Sequence, residues 1–121
     1  MRNAPDFQPV FTRLRALLEP YAPYLTVTHD SKDLYYLNGP YSQEYKRVLF
    51  FGSAQIKNYV SFYLMPVYMY PELLEGLSPE LKKRMQGKSC FNFSHVDEVL
   101  FEELAGLTGR GFEKFQGKIQ I

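Results

Sequence analysis

The sequence predicts an α+β domain, with a single antiparallel sheet of about five strands packed on one face by an N-terminal and a C-terminal helix. Apolar residues recur at helical spacing near both ends of the chain. The middle of the chain contains segments rich in β-branched and aromatic residues, which are typical of strands. Only a few residues connect these segments, and tight connections favour antiparallel pairing.

The composition is that of one globular domain, so we expect residues 1–121 to form a single unit. A chain of 121 residues is long enough to bury a core without disulfides or metals. Aromatic residues make up 17% of it, as ten tyrosines and ten phenylalanines. Because tyrosine buries a ring and keeps a hydroxyl that needs a partner, this share predicts a half-buried sheet or a wet, aromatic-lined surface.

The charge balance argues against two kinds of partner. The 14 basic and 13 acidic residues give a formal net charge of +1, which offers no electrostatic attraction to nucleic acid or to an anionic membrane. No apolar run approaches the ~20 residues that span a bilayer, and the start MRNAPDF has no signal-peptide pattern. We therefore expect a soluble, cytoplasmic protein that binds neither nucleic acid nor membrane.

The N-terminal element is predicted to be a helix over residues 7–19. Asp6 can cap it, and Pro20 ends it. Its apolar stripe comprises Phe7, Phe11, Leu14, Leu18 and Tyr21.

Five strands are predicted after this helix, each from β-branched and aromatic content or from alternation of apolar and polar residues. They cover residues 25–30 (LTVTHD), 33–37 (DLYYL), 46–56 (KRVLFFGSAQI), 57–65 (KNYVSFYLM) and 88–93 (KSCFNF). The NGP sequence at 38–40 is predicted to break the second strand, and Pro66 is predicted to end the fourth.

Three further helical segments are predicted. A short turn near residues 71–75 and a helix near 79–85 both begin with proline, which suits the first helical position. The last helix is predicted to begin at a Ser94 cap, with Asp97 three residues on. Its apolar stripe is Val96, Leu100, Leu104 and Leu107, with Phe101 beside it. Its later turns contain three glycines, each weakening a helix by roughly 1 kcal/mol relative to alanine.

Three stretches of the chain resemble a known family. They are KNYVSFYLMPVYMYPELL, LKKRMQGKSCFNF and DEVLFEELAGLTGRGFEKF. The match covers roughly residues 46–115 and, more loosely, the N-terminal helix and the first strands. In order and pattern they resemble the YdhG-like family of small, mostly bacterial α+β domains, also called domain of unknown function 1801. The shared motifs are structural, so the resemblance implies a fold much more than an activity. Some members are described as frataxin-like iron chaperones, but this sequence has no comparably dense acidic ridge.

The fourth and fifth strands are predicted to be two-sided. Alternation puts Phe62 and Phe93 on an apolar face, which should pack under the helices, and Tyr63 and Cys90 on a mixed face. If both strands lie in one sheet, their mixed faces meet on its open side. The predicted ligand-binding groove is lined there by Tyr59, Ser61, Tyr63, Cys90 and Asn92, with Lys88 at its rim. The alternative is an ordinary solvated sheet face with amphipathic tyrosines.

A second candidate surface is the connection after the fourth strand. Tyr68 and Tyr70 lie there, and large aromatics on loops often contact a ligand or partner. The alternative is that this segment covers one end of the core.

No catalytic or metal site is predicted. Cys90 has no acid–base partner visible in the sequence, and a free cysteine is more often a small buried hydrophobe. His29 and His95 are far apart in the chain, so no close histidine pair indicates a metal. The acidic residues near the start of the last helix also match the positive end of its dipole. They are Asp97, Glu98, Glu102 and Glu103.

The function predicted from these observations is a non-catalytic module that binds a small ligand or a protein and needs no cofactor. The alternatives are a frataxin-like iron-binding chaperone, which the resemblance implies, and an enzyme with an unrecognised site. Both a monomer and a homodimer are compatible with the sequence.

Overall fold

The computed structural model describes residues 6–119, with side chains through residue 116. The helices are α1 (Gln8–Leu18), α2 (Met65–Met69), α3 (Pro79–Lys82) and α4 (Glu98–Ile119). Short 3₁₀ segments cover Glu19–Tyr24 and Pro71–Leu74. The strands are β1 (Thr26–Asp30), β2 (Leu34–Ser42), β3 (Arg47–Ile56), β4 (Val60–Leu64), β5 (Met85–Gln86) and β6 (Cys90–Phe93).

The described strands form one antiparallel sheet in the order β1-β2-β3-β4-β6-β5. The predicted α+β class is therefore confirmed, with six strands where about five were expected. The additional strand is β5, whose first residue, Met85, was predicted to be the last residue of a helix near 79–85. That helix stops at Lys82, and Met85 pairs with Phe91 instead. Two residues are too few to show a period, so this strand has no recognisable sequence pattern.

The face of the sheet beneath α1 and α4 carries the core. The strands contribute the buried side chains Tyr35, Leu37, Val60, Phe62, Leu64, Phe91 and Phe93. The two helices contribute Val10, Phe11, Leu14, Leu18, Leu100, Phe101, Leu104, Leu107, Phe112 and Phe115. The predicted packing of one sheet face by the N-terminal and C-terminal helices is thus confirmed, and Phe62 and Phe93 lie on that face.

A β-bulge in β3 changes which side chains reach the core. Leu37 pairs with Gly52 and Asn38 pairs with Phe50, which leaves Phe51 without a cross-strand partner. Phe51 and Gly52 both face the helices as a result, whereas Phe50 lies on the opposite face. The Phe51 ring is fully buried and its centroid lies 5.2 Å from that of Phe115.

The predicted break at residues 38–40 is wrong, because β2 continues through them to Ser42. The pairing with β3 shifts between Asn38 and Tyr41, so Gly39 and Pro40 fall in an irregular stretch of the ladder. A proline lacks a backbone N–H and is tolerated in a strand where the ladder does not require that donor. The strand therefore projects further than the sequence suggested.

The start of α4 also differs from the prediction. The helix begins at Glu98, and the Asp97 carboxylate, not Ser94, accepts a hydrogen bond from the backbone N–H of Leu100 at 3.1 Å. Val96 lies before the helix and is exposed. The helix continues through its glycines, and at Gly111 an added Cβ would lie 3.0 Å from Cβ of Pro66. That glycine lets α4 approach α2 closely.

Replacing Asp97 with alanine is expected to lower the free energy of unfolding by about 1 kcal/mol, because α4 loses the cap at its first turn. The matched change Ser94→Ala should leave the free energy of unfolding unchanged within a few tenths of a kcal/mol. The Ser94 side chain is exposed and makes no hydrogen bond among the described residues. Urea denaturation followed by circular dichroism measures both. A larger loss at Ser94 than at Asp97 would show that the helix begins where the sequence suggested.

Candidate functional site

The open face of the sheet, opposite the helices, brings together side chains from four strands. Tyr63 pairs directly with Cys90, and Ser53 pairs with both Tyr63 and Tyr36. These residues form one row across β2, β3, β4 and β6. Cross-strand partners point to the same side of a sheet, so the row lies on the face that the helices leave uncovered.

The β4–β6 end of this face is a hydrogen-bonded network centred on Asn92. The Ser61 hydroxyl donates to Asn92 Oδ1 at 2.8 Å, and the Cys90 thiol donates to the same oxygen at 3.3 Å. Asn92 Nδ2 in turn donates to Gln86 Oε1 at 2.7 Å, which also accepts from the Tyr59 hydroxyl at 3.2 Å. These polar groups satisfy one another, so this end of the face has few hydrogen-bonding groups left for a ligand.

Lys57, in the β3–β4 turn, forms a separate pair with Tyr63 beside this network. Its ammonium donates to the Tyr63 hydroxyl at 2.7 Å and lies 5.0 Å from the centre of that ring. The hydrogen bond to Tyr63 raises the pKa of Lys57 above its ordinary value.

Cys90 is 9% exposed, and its thiol is held by Asn92. Neither histidine forms a hydrogen bond with it in the described part of the chain. His29 packs edge-on against Tyr36 with 5.6 Å between ring centroids, and His95 lines a separate cavity with Arg84 and Asp97. The arrangement around Cys90 is that of a small buried side chain in a polar network.

Two of the acidic residues near the start of α4, Glu98 and Glu103, accept hydrogen bonds from residues of other elements. Glu98 accepts from Arg13 Nε at 2.9 Å, and this hydrogen bond lowers the pKa of the Glu98 carboxyl. Glu103 accepts from the backbone N–H and the hydroxyl of Ser78, both at 2.7 Å. Among residues 6–116, no three His, Cys, Asp or Glu side chains form a group that could hold a metal ion.

Two cavities open on the uncovered face. The smaller, about 350 Å³, is lined by His29, Leu34, Tyr36, Phe50, Ser53, Gln55 and Tyr63. The larger, about 600 Å³, lies where β2 and β3 meet α2, and we call it the aromatic groove. Its lining residues are Tyr36, Asn38, Tyr45, Arg47, Val48, Leu49, Phe50, Met65, Tyr68 and Met69. A volume of this size is within the range of small-molecule sites.

The rim of the aromatic groove exposes large apolar side chains. Tyr45 is 43% exposed, Val48 49% and Tyr68 57%. The floor is more enclosed, because the rings of Tyr36 and Phe50 lie against each other with their centroids 4.7 Å apart. Three large, exposed, mainly apolar side chains around one concave site are typical of a surface that binds a ligand or a partner.

Arg47 is the charged residue of the groove lining, since the other nine lining side chains are uncharged at neutral pH. Within the part of the chain that the structure describes, its guanidinium makes no ion pair or hydrogen bond. Among the described residues, the aromatic groove therefore presents one positive charge, beside its rings, that has no ion-pair partner.

The structure separates the residues that the sequence singled out. Tyr68 lines the aromatic groove, whereas Tyr59, Ser61, Cys90 and Asn92 belong to the hydrogen-bonded network and Tyr63 lines the smaller cavity. The remaining two lie elsewhere. Tyr70 packs near α4, with the Lys114 ammonium 5.2 Å from its ring centre. Lys88 is exposed in the turn before β6 and lines neither cavity.

Of the ten residues that line the groove, Tyr68 alone was predicted as a site residue, and the residues missed include Tyr36, Tyr45, Arg47 and Phe50. Alternation within DLYYL could have placed Tyr36 on the face of Tyr63, but it says nothing about the other three. Phe50 and Arg47 depend on the bulge in β3 and on the extension of β2 through Pro40.

No described helix is long and apolar enough to cross a membrane. No family model, curated protein or solved structure matches the chain.

Proposed function

We propose that this chain is a non-catalytic binding domain that takes a small ligand in the aromatic groove. The observation that carries the proposal is a concave site of about 600 Å³ whose rim holds Tyr45, Val48 and Tyr68 in water. Removing apolar surface from water contributes roughly 25 cal/mol per Å² of favourable free energy. A ligand that fills the groove and covers these side chains therefore gains binding free energy.

The chemistry of the lining supports binding. Its titratable groups are three tyrosines and Arg47, with no nucleophile paired with a base and no carboxylate. General acid–base or nucleophilic catalysis needs such a pair within hydrogen-bonding reach. Neither the iron-chaperone alternative nor the enzyme alternative is favoured by a specific group in this site.

The proposal keeps the YdhG-like family and a cytoplasmic location as expectations of the sequence. The order of elements supports the family, because β4 is followed by short helical segments, a turn, β6 and the long helix α4. This order is the one that the resemblance implies for the second half of the chain.

Titration with a fragment library, followed by amide NMR shifts, tests the function. We expect the largest shifts to cluster at the aromatic groove, and Tyr68→Ala to weaken the best fragment about fivefold to tenfold by removing a rim ring. Tyr24→Ala is the matched control, because Tyr24 is 54% exposed and lies outside the groove, so affinity should not change. Shifts that cluster instead around Asn92, or no clustered shifts at all, would refute the proposed site.

A further inference from the structure

We infer that the ligand of the aromatic groove is a planar aromatic carboxylate, bound through its carboxylate by Arg47 and through its ring by Tyr36, Phe50 and Tyr68. The inference rests on the proposed function and adds the chemical class of the ligand.

The charge of the groove sets the charge of the ligand. Arg47 contributes one positive charge and has no ion-pair partner among the described residues. The neighbouring Glu44 and Lys46 have opposite charges and do not line the groove. A single positive charge matches a monoanion, whereas a phosphate, with nearly two negative charges, would be left partly unneutralised.

The geometry of guanidinium favours a carboxylate among monoanions. Its N–H groups form a planar fork that donates two parallel hydrogen bonds to the two carboxylate oxygens. Asn38 adds the only side-chain amide of the lining and pairs across the strands with Phe50. An anionic group held at Arg47 therefore has an amide beside the ring pair to fix its orientation.

The rest of the lining is suited to an aromatic ring. Tyr36 and Phe50 present a tilted ring pair on the sheet, at 34° between their planes. Tyr68, Met65 and Met69 come from α2, and thioethers make favourable contacts with aromatic rings. A flat ligand can therefore be held between the sheet and α2, with its charged end toward the start of β3.

Three probes with the same ring system, similar size and different charge test the inference by isothermal titration calorimetry: 2-naphthoate, 2-naphthalenemethanol and 2-naphthylmethylammonium. We expect the anion to bind about tenfold more tightly than the neutral alcohol, and the cation to bind most weakly. Arg47→Gln should remove the advantage of the anion over the alcohol. Lys46→Gln is the matched control, since it removes a neighbouring charge outside the groove and should keep the preference.

The outcomes separate the ligand class from the function. If the alcohol or the cation binds as tightly as the anion, or if Arg47→Gln keeps the preference, the ligand class is wrong and binding in the groove stands. If none of the three probes binds while library fragments shift groove residues, the ligand class is again wrong. If no compound of either set binds in the groove, both the ligand class and the proposed function are overturned.

Discussion

Phe51→Ala is expected to lower the free energy of unfolding by about 3–5 kcal/mol, the range for removing a fully buried phenylalanine ring. The Phe51 ring lies between Tyr21, Phe112 and Phe115, at centroid distances of 5.9, 5.6 and 5.2 Å. Its removal leaves a cavity between β3 and α4, where close packing on three sides limits collapse.

The matched variant Phe50→Ala should cost much less stability, because Phe50 is only half-buried and lies on the open face. Its expected effect is on ligand affinity, since it removes half of the ring pair in the aromatic groove. Urea denaturation of both variants, together with fragment titration of Phe50→Ala, separates the two effects. Equal losses of stability at the two positions would contradict the bulge that sends these neighbours to opposite faces.

Gly52→Ala is expected to lower the free energy of unfolding by about 2 kcal/mol, although it adds only one methyl group. An added Cβ would lie 3.0 Å from the backbone oxygen of Tyr63 and 3.0 Å from Cδ2 of Leu18. The backbone oxygen belongs to the neighbouring strand β4 and cannot move away without distorting the sheet. Thermal unfolding monitored by circular dichroism measures the loss.

Gly106→Ala is the matched control for that experiment and should have the opposite sign. The nearest atom to its added Cβ is a terminal guanidinium nitrogen of Arg110, at 3.3 Å, on an exposed side chain that can move. An alanine inside α4 then gains up to about 1 kcal/mol over glycine in helix propensity. A loss of stability at Gly106 similar to that at Gly52 would show that the contact with β4 is not the cause.

The faces of the strands and helices were predictable because burial follows the period of the backbone. Phe62 and Phe93 are in the core and Tyr63 faces away from it, as the alternation in β4 and β6 requires. The helical spacing likewise identified Leu14 and Leu104 as buried. These features are local, so a single sequence contains them.

The sequence-based predictions were wrong or incomplete where contacts between residues far apart in the chain determine the local structure. Pro40 reads as a breaker, but the irregular pairing of β2 with β3 accommodates it. Ser94 and Asp97 are both good caps by residue type, and in the structure Asp97 accepts the hydrogen bond at the start of α4. The aromatic groove depends on the same nonlocal pairing, because the bulge places Phe50, and not Phe51, beside Tyr36. The residues of the aromatic groove therefore could not be assigned to one site without knowing the pairing register of β2 and β3.

One face of the sheet carries the core and the other carries the aromatic groove, which has a practical consequence for protein engineering. Tyr45, Val48 and Tyr68 are well exposed and contribute little to the core, so combinatorial libraries at these three positions should retain the folded scaffold. Selection from such libraries can then change which molecules are recognised without first adding compensating mutations. The domain is consequently a suitable starting point for small biosensors.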